Sequence, residues 1–306
     1  MTAQRFGVLL MTYGSPATLD DVERYLTAVR GGRAPDPDLV TEFRRRYEVI
    51  GSSPLVPITL AQAAALERRL GGWALVRAAM RFSEPSIEAA LRELAAARVE
   101  EVVGIVLSPQ FSPMLMGGYG RALEAAADAV GREAPAVTLR GAWHTNRAFV
   151  EALASRISEA LAAIAEPGVP VLLTAHSLPR RVAEQEPGYL AQLERTASDV
   201  AEAAGVPQER WRFCWQSAGH EPGEWMTPDF ADLMPALAAD GHRSVLVAPV
   251  QFLADHLEIL YDLDVGAREQ AEAAGLAFHR IASLNTHPRF IDALAEVAVG
   301  RSPADR

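Results

Sequence analysis

The chain contains no lysine, because all 29 of its basic residues are arginine. A phosphate-loop lysine, a Schiff-base lysine and a lysine general base are therefore excluded. Cysteine is almost absent as well. The single Cys214 excludes an intrachain disulfide and an iron–sulfur cluster held by several cysteines of this chain. A basic stripe is also missing, and the net charge of −10 argues against nucleic acid as a partner.

Long apolar runs are missing too. The best candidates, Val102–Leu107 and Val245–Val250, have the length of strands, well short of the ~18 residues that a membrane span needs. The N-terminus enters an apolar segment directly, without a basic stretch or a cleavage site that would indicate a signal peptide. We therefore expect a cytoplasmic monomer with no integral membrane association and no permanently bound cofactor.

Apolar residues make up 49% of the 306 residues and charged residues 22%, which is typical of a globular chain of one large or two medium domains. Short β-branched runs alternate with long stretches rich in alanine, leucine and glutamate. This alternation predicts an α/β fold with parallel strands and right-handed crossovers. The strand candidates are Phe6–Thr12, Leu75–Met80, Val102–Ser108, Val171–Ala175, Trp211–Trp215 and Ser244–Val250.

Two distant segments of the chain share one pattern. Val8–Pro16 reads VLLMTYGSP and Val171–Pro179 reads VLLTAHSLP. Further on, Pro109 and Pro249 each follow a valine-rich run and precede a Gln-Phe pair. Chance similarity between buried strands is the alternative explanation, and the matching proline turns argue against it. The pattern therefore predicts an internal repeat.

The repeat predicts two Rossmann-like halves with parallel sheets, related by a pseudo-twofold axis, with a ligand cleft between their carboxyl edges. Glu166–Pro170 is the best linker, so the predicted halves are residues 1–166 and 167–306. The landmark pairs lie 163 and 140 residues apart, so the first half is 23 residues longer between them. We expect an insertion there.

Tyr13 and His176 occupy equivalent positions in the repeat, each at the end of a predicted strand. Such positions open onto the functional edge of a parallel sheet. A histidine can take up a proton or bind a metal near neutral pH. A histidine packed in a loop is the alternative interpretation.

A second concentration of polar side chains opens the predicted helix Glu258–Ala274. Glu258 and Asp262 are four residues apart and would share one helix face, where their repulsion suits proton transfer or a divalent cation. An acidic first turn that offsets the helix dipole is the alternative. His256 and Glu258 also resemble the His-x-Glu motif of zinc deaminases, but a single cysteine cannot complete that site.

Arginines cluster within the predicted insertion. Arginine is suited to bidentate binding of carboxylates, so this region would favour a polyanionic ligand. Acidic residues are interspersed among these arginines, and solvated helix faces are the alternative interpretation. The clustered residues are Arg24, Arg30, Arg33, Arg44, Arg45 and Arg46.

Taken together and in this order, five segments resemble the landmarks of the ferrochelatase family, and the similarity covers nearly the whole chain. The histidine and glutamate segments are specific as a pair, whereas either alone would be weak. The segments are Leu9–Pro16, Arg46–Leu55, Thr174–Pro179, Trp215–Ser217 and Asp255–Asp262.

The resemblance implies a lyase of haem biosynthesis that inserts ferrous iron into a porphyrin held between the two halves. His176 and Glu258 match the family's site pair, which would bind or relay iron and remove the pyrrole protons, with Asp262 as a further metal ligand. Tyr13 matches a tyrosine that can ligate iron on the opposite porphyrin face in the cluster-free bacterial branch. The positions that match porphyrin-contacting residues are Arg30, Arg46, Tyr47, Ser53 and Tyr119.

The resemblance has limits. Relatives often carry a further carboxylate eight residues after the site glutamate, where this chain has Gly266. A metal route along this helix would therefore keep only Asp262 and Asp264. Many relatives also bind a [2Fe–2S] cluster, which this chain cannot do with one cysteine.

We expect coproporphyrin III to be the substrate, because Tyr13 resembles the residue of the branch that uses it and the insertion offers several arginines for its four propionates. Protoporphyrin IX is the first alternative. A cobalt or nickel chelatase acting on another tetrapyrrole and a non-catalytic haem or porphyrin carrier follow. A Rossmann dehydrogenase is disfavoured, because no Gly-x-Gly-x-x-Gly motif follows the first strand.

Overall fold

A computed structural model describes residues 5–219 and 223–300. Strands and helices alternate along both halves. The first half contains β1 (Arg5–Thr12), α1 (Val22–Val29), α2 (Pro37–Ile50), α3 (Leu55–Arg69), β2 (Ala74–Met80), α4 (Ile87–Ala96), β3 (Val99–Val106), α5 (Pro113–Val130), β4 (Ala136–Leu139) and α6 (Arg147–Ile164). The second contains β5 (Val171–His176), α7 (Arg180–Gln185), α8 (Pro187–Ala203), β6 (Trp211–Gln216), α9 (Phe230–Ala239), β7 (Ser244–Pro249), α10 (Leu257–Leu260), a π-helix (Asp262–Ala267), α11 (Arg268–Ala273), β8 (Ala277–Arg280) and α12 (Pro288–Val299).

The strands form two four-stranded parallel sheets with the same topology. The first sheet has the order β2-β1-β3-β4 and the second has the order β6-β5-β7-β8. The central strands are buried on both faces, which explains their continuous apolar sequences. The matching strand orders confirm the predicted α/β fold with two similar halves.

The insertion lies between β1 and β2, where the first half has α1, α2 and α3 and the second half has only α7 and α8. Helix α2 packs on α10 of the second half. An apolar cluster joins them, in which Tyr47 and Phe43 of α2 lie with Leu257 and Tyr261. The insertion therefore contacts the helix that follows β7 in the second half.

The last helix of each half packs on the other half. Helix α6 contacts α8 and β7, whereas α12 contacts α3 and β3, and the two helices also contact each other. Asn146 at the start of α6 donates to Glu296 of α12 over 3.0 Å. A single buried cluster consequently runs through both sheets.

Two edge strands and the helix of the site differ from the sequence-based prediction. The strands β4 and β8 were not among the strand candidates, because each has only four residues and lies at a sheet edge. The predicted helix Glu258–Ala274 is divided into α10, the π-helix and α11. In the π-helix the amides of Val265 and Gly266 both donate to the carbonyl of Tyr261, over 3.1 and 3.0 Å, which widens the turn.

Within residues 5–219 and 223–300, no single helix is long and apolar enough to cross a membrane. Helices α2 and α3 satisfy the length and composition test only as a pair, and that pair is bent by 59°.

Candidate active site

A cavity of about 420 Å³ lies where the carboxyl ends of the two sheets face each other. This volume is in the range of small-molecule sites. Its walls are mostly apolar and aromatic, with a few polar side chains among them. The aromatic lining comes from Tyr13, Tyr25, Phe43, Tyr47, Tyr119, Tyr189 and Phe252.

His176 ends β5 and projects into this cavity. Its backbone amide donates to Gln251 over 2.8 Å, and the Gln251 amide in turn donates to the Tyr189 hydroxyl over 2.5 Å. The Nδ1 atom of His176 lies 2.5 Å from the carbonyl of Ser177. Because a carbonyl only accepts hydrogen bonds, Nδ1 carries the hydrogen and Nε2 is left to bind a proton or a metal.

Glu258 lies between two histidines. One carboxylate oxygen is 3.6 Å from Nε2 of His176, and the other is 3.5 Å from Nε2 of His256. The Nδ1 atom of His256 is 2.9 Å from the carbonyl of Ala254, which directs its Nε2 toward Glu258 in the same way.

Burial alone would raise the pKa of Glu258, but His176 and His256 outweigh it and hold the pKa at about 2. Burial would likewise lower the pKa of His256, and its contact with Glu258 raises that pKa above the ordinary value instead. Glu258 therefore stays ionised and favours positive charge on the His256 imidazole.

Asp262 lies next to this group at the start of the π-helix. The pKa of Asp262 is raised, because burial and the charge of Glu258 outweigh the lowering effect of its hydrogen bond with Ser217. Its Oδ1 atom is 3.4 Å from Nη1 of Arg46. The charge repulsion expected between Glu258 and Asp262 is thus present, even though the helix between them is not continuous.

Asp264, the other acid expected along this helix, is held by Arg280. Both oxygens of Asp264 accept from the guanidinium over 2.8 Å. In the described part of the chain, no three His, Cys, Asp or Glu side chains form a cluster that could hold a metal ion. Gly266 is open at its side-chain position, since an added Cβ would meet only the carbonyl of Tyr261 at 3.9 Å.

Tyr13 follows β1 on the wall that belongs to the first half. The turn after it requires Gly14, whose φ is +90° and where a Cβ would lie 2.9 Å from Cβ of Met80. The Tyr25 hydroxyl donates to the carbonyl of Gly14 over 3.0 Å and fixes this turn. The pKa of the Tyr13 phenol is raised, because burial in the cleft and the charge of Glu258 outweigh the lowering effect of Arg81.

Arg81 stacks behind this wall. Its guanidinium carbon lies 4.6 Å from the ring centre of Phe82, 5.5 Å from that of Tyr119 and 5.9 Å from that of Tyr13. Gly118 of α5 leaves the space that this guanidinium fills, because a Cβ there would overlap it. The three rings and the cation form one packed unit.

The structure places most of the predicted residues at the cavity. Tyr13, His176 and Glu258 line it, together with Tyr47, Ser53 and Tyr119. Arg46 and Asp262 are not among the residues that line the cavity. Arg46 is half-buried, directly precedes Tyr47 of the cavity wall and pairs with Asp262. Arg30 does not line the cavity, because it caps the end of α1 and is exposed.

Sequence reasoning missed four side chains of this site. His256 was weighed only as part of a zinc motif, although its position beside Glu258 in the sequence is a signal that could have identified it. Gln251 follows β7 as His176 ends β5, which could also have indicated a role at the sheet edge. Tyr25 and Tyr189 lie within helices, and no local pattern distinguishes them from core residues.

Comparison with known proteins gives consistent matches over the full length. A family model described as ferrochelatase matches residues 5–301. A coproporphyrin III ferrochelatase of Geobacillus sp. (strain WCH70) is 36% identical over 98% of this chain and 99% of that protein. A ferrochelatase of Herpetosiphon aurantiacus is also 36% identical, over 96% of this chain and 98% of that protein.

A solved structure is similar as well. SirB from Bacillus subtilis, determined with Fe3+, superposes with a TM-score of 0.58 and covers 97% of this chain and 96% of its own. The two sequences are 11% identical, so the likeness concerns the fold alone.

Proposed function

The chain belongs to the ferrochelatase family, and from that premise we propose that it inserts ferrous iron into coproporphyrin III. Iron(II) and the porphyrin are the substrates. The product is the iron complex, and two pyrrole protons are released for each metal inserted. The proposed substrate follows the name of the Geobacillus relative, coproporphyrin III ferrochelatase, whose sequence matches 98% of this chain.

One observation carries the proposal: a histidine–carboxylate pair on one wall of an aromatic cavity, with a tyrosine on the other wall. His176 and Glu258 supply a nitrogen and an oxygen 3.6 Å apart, and Tyr13 supplies a phenol from the opposite half. Mixed nitrogen and oxygen ligands hold iron(II) loosely enough to release it into a macrocycle.

Proton removal is assigned to His176, with Glu258 as its partner. A neutral imidazole is a good acceptor for a pyrrole proton, and the Nε2 atom of His176 faces the cavity. The ionised Glu258 would stabilise the imidazolium that forms on Nε2 of His176. The second proton would follow after the first has passed to solvent along the polar edge beside His256 and Asp262.

The aromatic walls would hold the macrocycle. A flat porphyrin keeps its four nitrogens in the ring plane, so a productive site must favour a distorted ring with an exposed lone pair. Tyr119 and Tyr47 are buried in the cavity wall and offer rigid surfaces for such binding. Ser53, also in the wall, offers a neutral hydrogen-bonding group for a propionate.

The propionates are assigned to the arginines of the insertion, among them Arg46, which directly precedes Tyr47 of the cavity wall. Arg30, Arg33 and Arg44 are exposed, and in the part of the chain that the structure describes they form no ion pair with a carboxylate. Exposed guanidinium groups on the insertion would attract a tetra-anion toward a protein whose net charge is −10. Coproporphyrin can form more ion pairs with these arginines than protoporphyrin, because it has four propionates and protoporphyrin has two.

The remaining parts of the proposal follow from the sequence. Residues 1–166 would provide most of the porphyrin contacts, and residues 167–306 would provide His176 and Glu258. The protein would act as a cytoplasmic monomer without an iron–sulfur cluster, a permanently bound cofactor or a nucleic-acid partner.

Initial rates of iron insertion test the proposed substrate. Both porphyrins are compared under anaerobic conditions at low detergent, where each is monomeric. Two additional propionate–arginine pairs, at ~0.5–1.5 kcal/mol each, would give coproporphyrin III an advantage in kcat/KM of about 5- to 150-fold. A higher kcat/KM for protoporphyrin IX would overturn the substrate, and failure to metallate either porphyrin would overturn the function.

A further inference from the structure

Arg46 is already engaged in the protein without substrate. Its Nη1 atom lies 3.4 Å from Oδ1 of Asp262, and its Nε atom donates to Glu42 over 2.8 Å. The guanidinium also stacks on Tyr261, with 5.1 Å between its carbon and the ring centre. The side chains of Arg46 and Asp262 are 19% and 15% exposed, so this ion pair is partly shielded from water.

The pair joins two parts of the proposed machinery. Arg46 immediately precedes Tyr47, which lines the cavity, and belongs to the insertion of the first half. Asp262 belongs to the second half and follows Glu258 by four residues. The same ion pair therefore connects the proposed carboxylate site of the tetrapyrrole with the proposed acidic edge for iron.

We propose that Asp262 competes with the substrate for Arg46. Asp262 holds the guanidinium of Arg46 until a carboxylate of the tetrapyrrole displaces it. The inference rests on the proposed function, because it takes the ligand to be a carboxylate-bearing tetrapyrrole. It adds that binding of this ligand releases Asp262 and so prepares the acidic edge for the second substrate.

The exchange moves the positive charge of Arg46 away from the two acids. While Arg46 is paired with Asp262, its positive charge offsets the repulsion between Asp262 and Glu258. When a propionate takes Arg46, the two carboxylates keep their repulsion without that cation, and a divalent ion can replace it. By linkage, the factor by which bound tetrapyrrole tightens iron binding at this edge equals the factor by which bound iron tightens tetrapyrrole binding.

Removing an acid assigned to iron should tighten binding of the other substrate, because one of the carboxylates that hold Arg46 is then gone, while Glu42 still accepts from its Nε atom. In metal-free buffer, Asp262→Asn should lower the Kd for coproporphyrin III about three- to tenfold, as measured by quenching of porphyrin fluorescence. The matched control is Asp264→Asn. It removes the same charge two residues further along the chain, but from a carboxylate that pairs with Arg280 and not with Arg46.

A double-mutant cycle separates the exchange from the general effect of removing a negative charge. Arg46→Gln is made alone and together with Asp262→Asn. If Asp262 competes for Arg46, the loss of affinity caused by Arg46→Gln will be larger in the Asp262→Asn background than in the unaltered protein. Equal losses in the two backgrounds would overturn the inference.

Two other results would also overturn it: tightening that is equal in Asp262→Asn and Asp264→Asn, or weaker binding in Asp262→Asn. Asp262→Ala provides a second variant of the same predicted sign, and thermal melts identify any variant that does not fold. Failure of the unaltered protein to bind coproporphyrin III would overturn the proposed function instead, so the two failures are distinguishable.

Discussion

The two nitrogens of the His176 ring have different partners, and the difference decides what the side chain can do. Nδ1 is held by the carbonyl of Ser177 at 2.5 Å, while Nε2 faces the cavity and Glu258. The ring therefore presents one basic nitrogen in a fixed direction. A ring held in this way is prepared for proton or metal transfer before any substrate arrives.

His176→Ala should abolish iron insertion, because it removes that nitrogen. The variant should bind coproporphyrin III within about tenfold of the unaltered protein, a change of under ~1.4 kcal/mol, since aromatic walls and arginines supply most of the binding. Turnover is followed by absorbance and binding by fluorescence quenching. Near-normal turnover in the variant would show that His176 is not the proton acceptor.

Glu258→Gln keeps the shape of the side chain but removes the charge that stabilises positive charge on His176. The catalytic rate should fall roughly 10²-fold or more. Asp262→Asn should be milder and should mainly raise the iron concentration needed for half-maximal rate. If Asp262→Asn proves the more damaging change in steady-state assays, the inner and outer roles of the two acids are reversed.

Cys214 should behave as a small buried apolar residue. It is fully buried on β6, and burial raises the pKa of its thiol, so little thiolate forms at neutral or mildly alkaline pH. The native protein should resist alkylation by iodoacetamide and should react after unfolding, which mass spectrometry can follow. Cys214→Ser should keep most activity, and a folded but inactive Cys214→Ser variant would contradict this assignment.

The sequence identified residues at strand ends more successfully than residues within helices. Tyr13 and His176 stand at equivalent places in a repeat, and a parallel sheet exposes such places at its functional edge. Tyr25 of α1 and Tyr189 of α8 act through hydrogen bonds to Gly14 and Gln251, partners that are distant or unmarked in the sequence. Such roles depend on tertiary placement, which no local pattern contains.

At the scale of single elements, helix α5 has a specific packing requirement. Gly118 leaves room for the Arg81 guanidinium, whereas Gly120 has no other group within 4 Å of its side-chain position. An alanine favours a helix over a glycine by about 0.8–1.0 kcal/mol in an open position. Substitutions of the two glycines on this helix can therefore be compared directly.

Gly120→Ala should raise the free energy of unfolding by up to about 1 kcal/mol. Gly118→Ala should give no such gain, because its Cβ displaces Arg81 from the rings of Tyr13 and Tyr119 and loses stacking of about 0.5–1 kcal/mol per contact. Urea denaturation of both variants measures the difference. Equal stabilisation by the two substitutions would mean that Arg81 moves aside without cost.

The sequence predicted the long central elements and failed at short or irregular ones. β1, β5 and β7 are buried on both faces, so their apolar runs indicate strands directly. β8 covers four residues at a sheet edge and has only one buried side chain, which leaves no such run. The π-helix after Tyr261 could not be predicted, because its residues fit an α-helix equally well and its contacts with Arg46 and Arg280 come from remote parts of the chain.

At the scale of the whole molecule, the exchange of terminal helices joins the halves. Helices α6 and α12 each pack on the half to which they do not belong by sequence. Because the two sheets are fixed by a shared core, the opposite walls of the cavity are held at a set separation. A cleft fixed in this way suits an enzyme that must favour one distorted shape of a flat ligand.

The most direct test is an anaerobic absorbance titration of the purified protein with coproporphyrin III and iron(II). The free-base visible bands should give way to those of the iron complex over many turnovers per protein molecule, with His176→Ala as the inactive control. Stoichiometric binding of coproporphyrin III with no change from free-base to metal-complex bands would contradict the account. That result would indicate a porphyrin carrier in place of an enzyme.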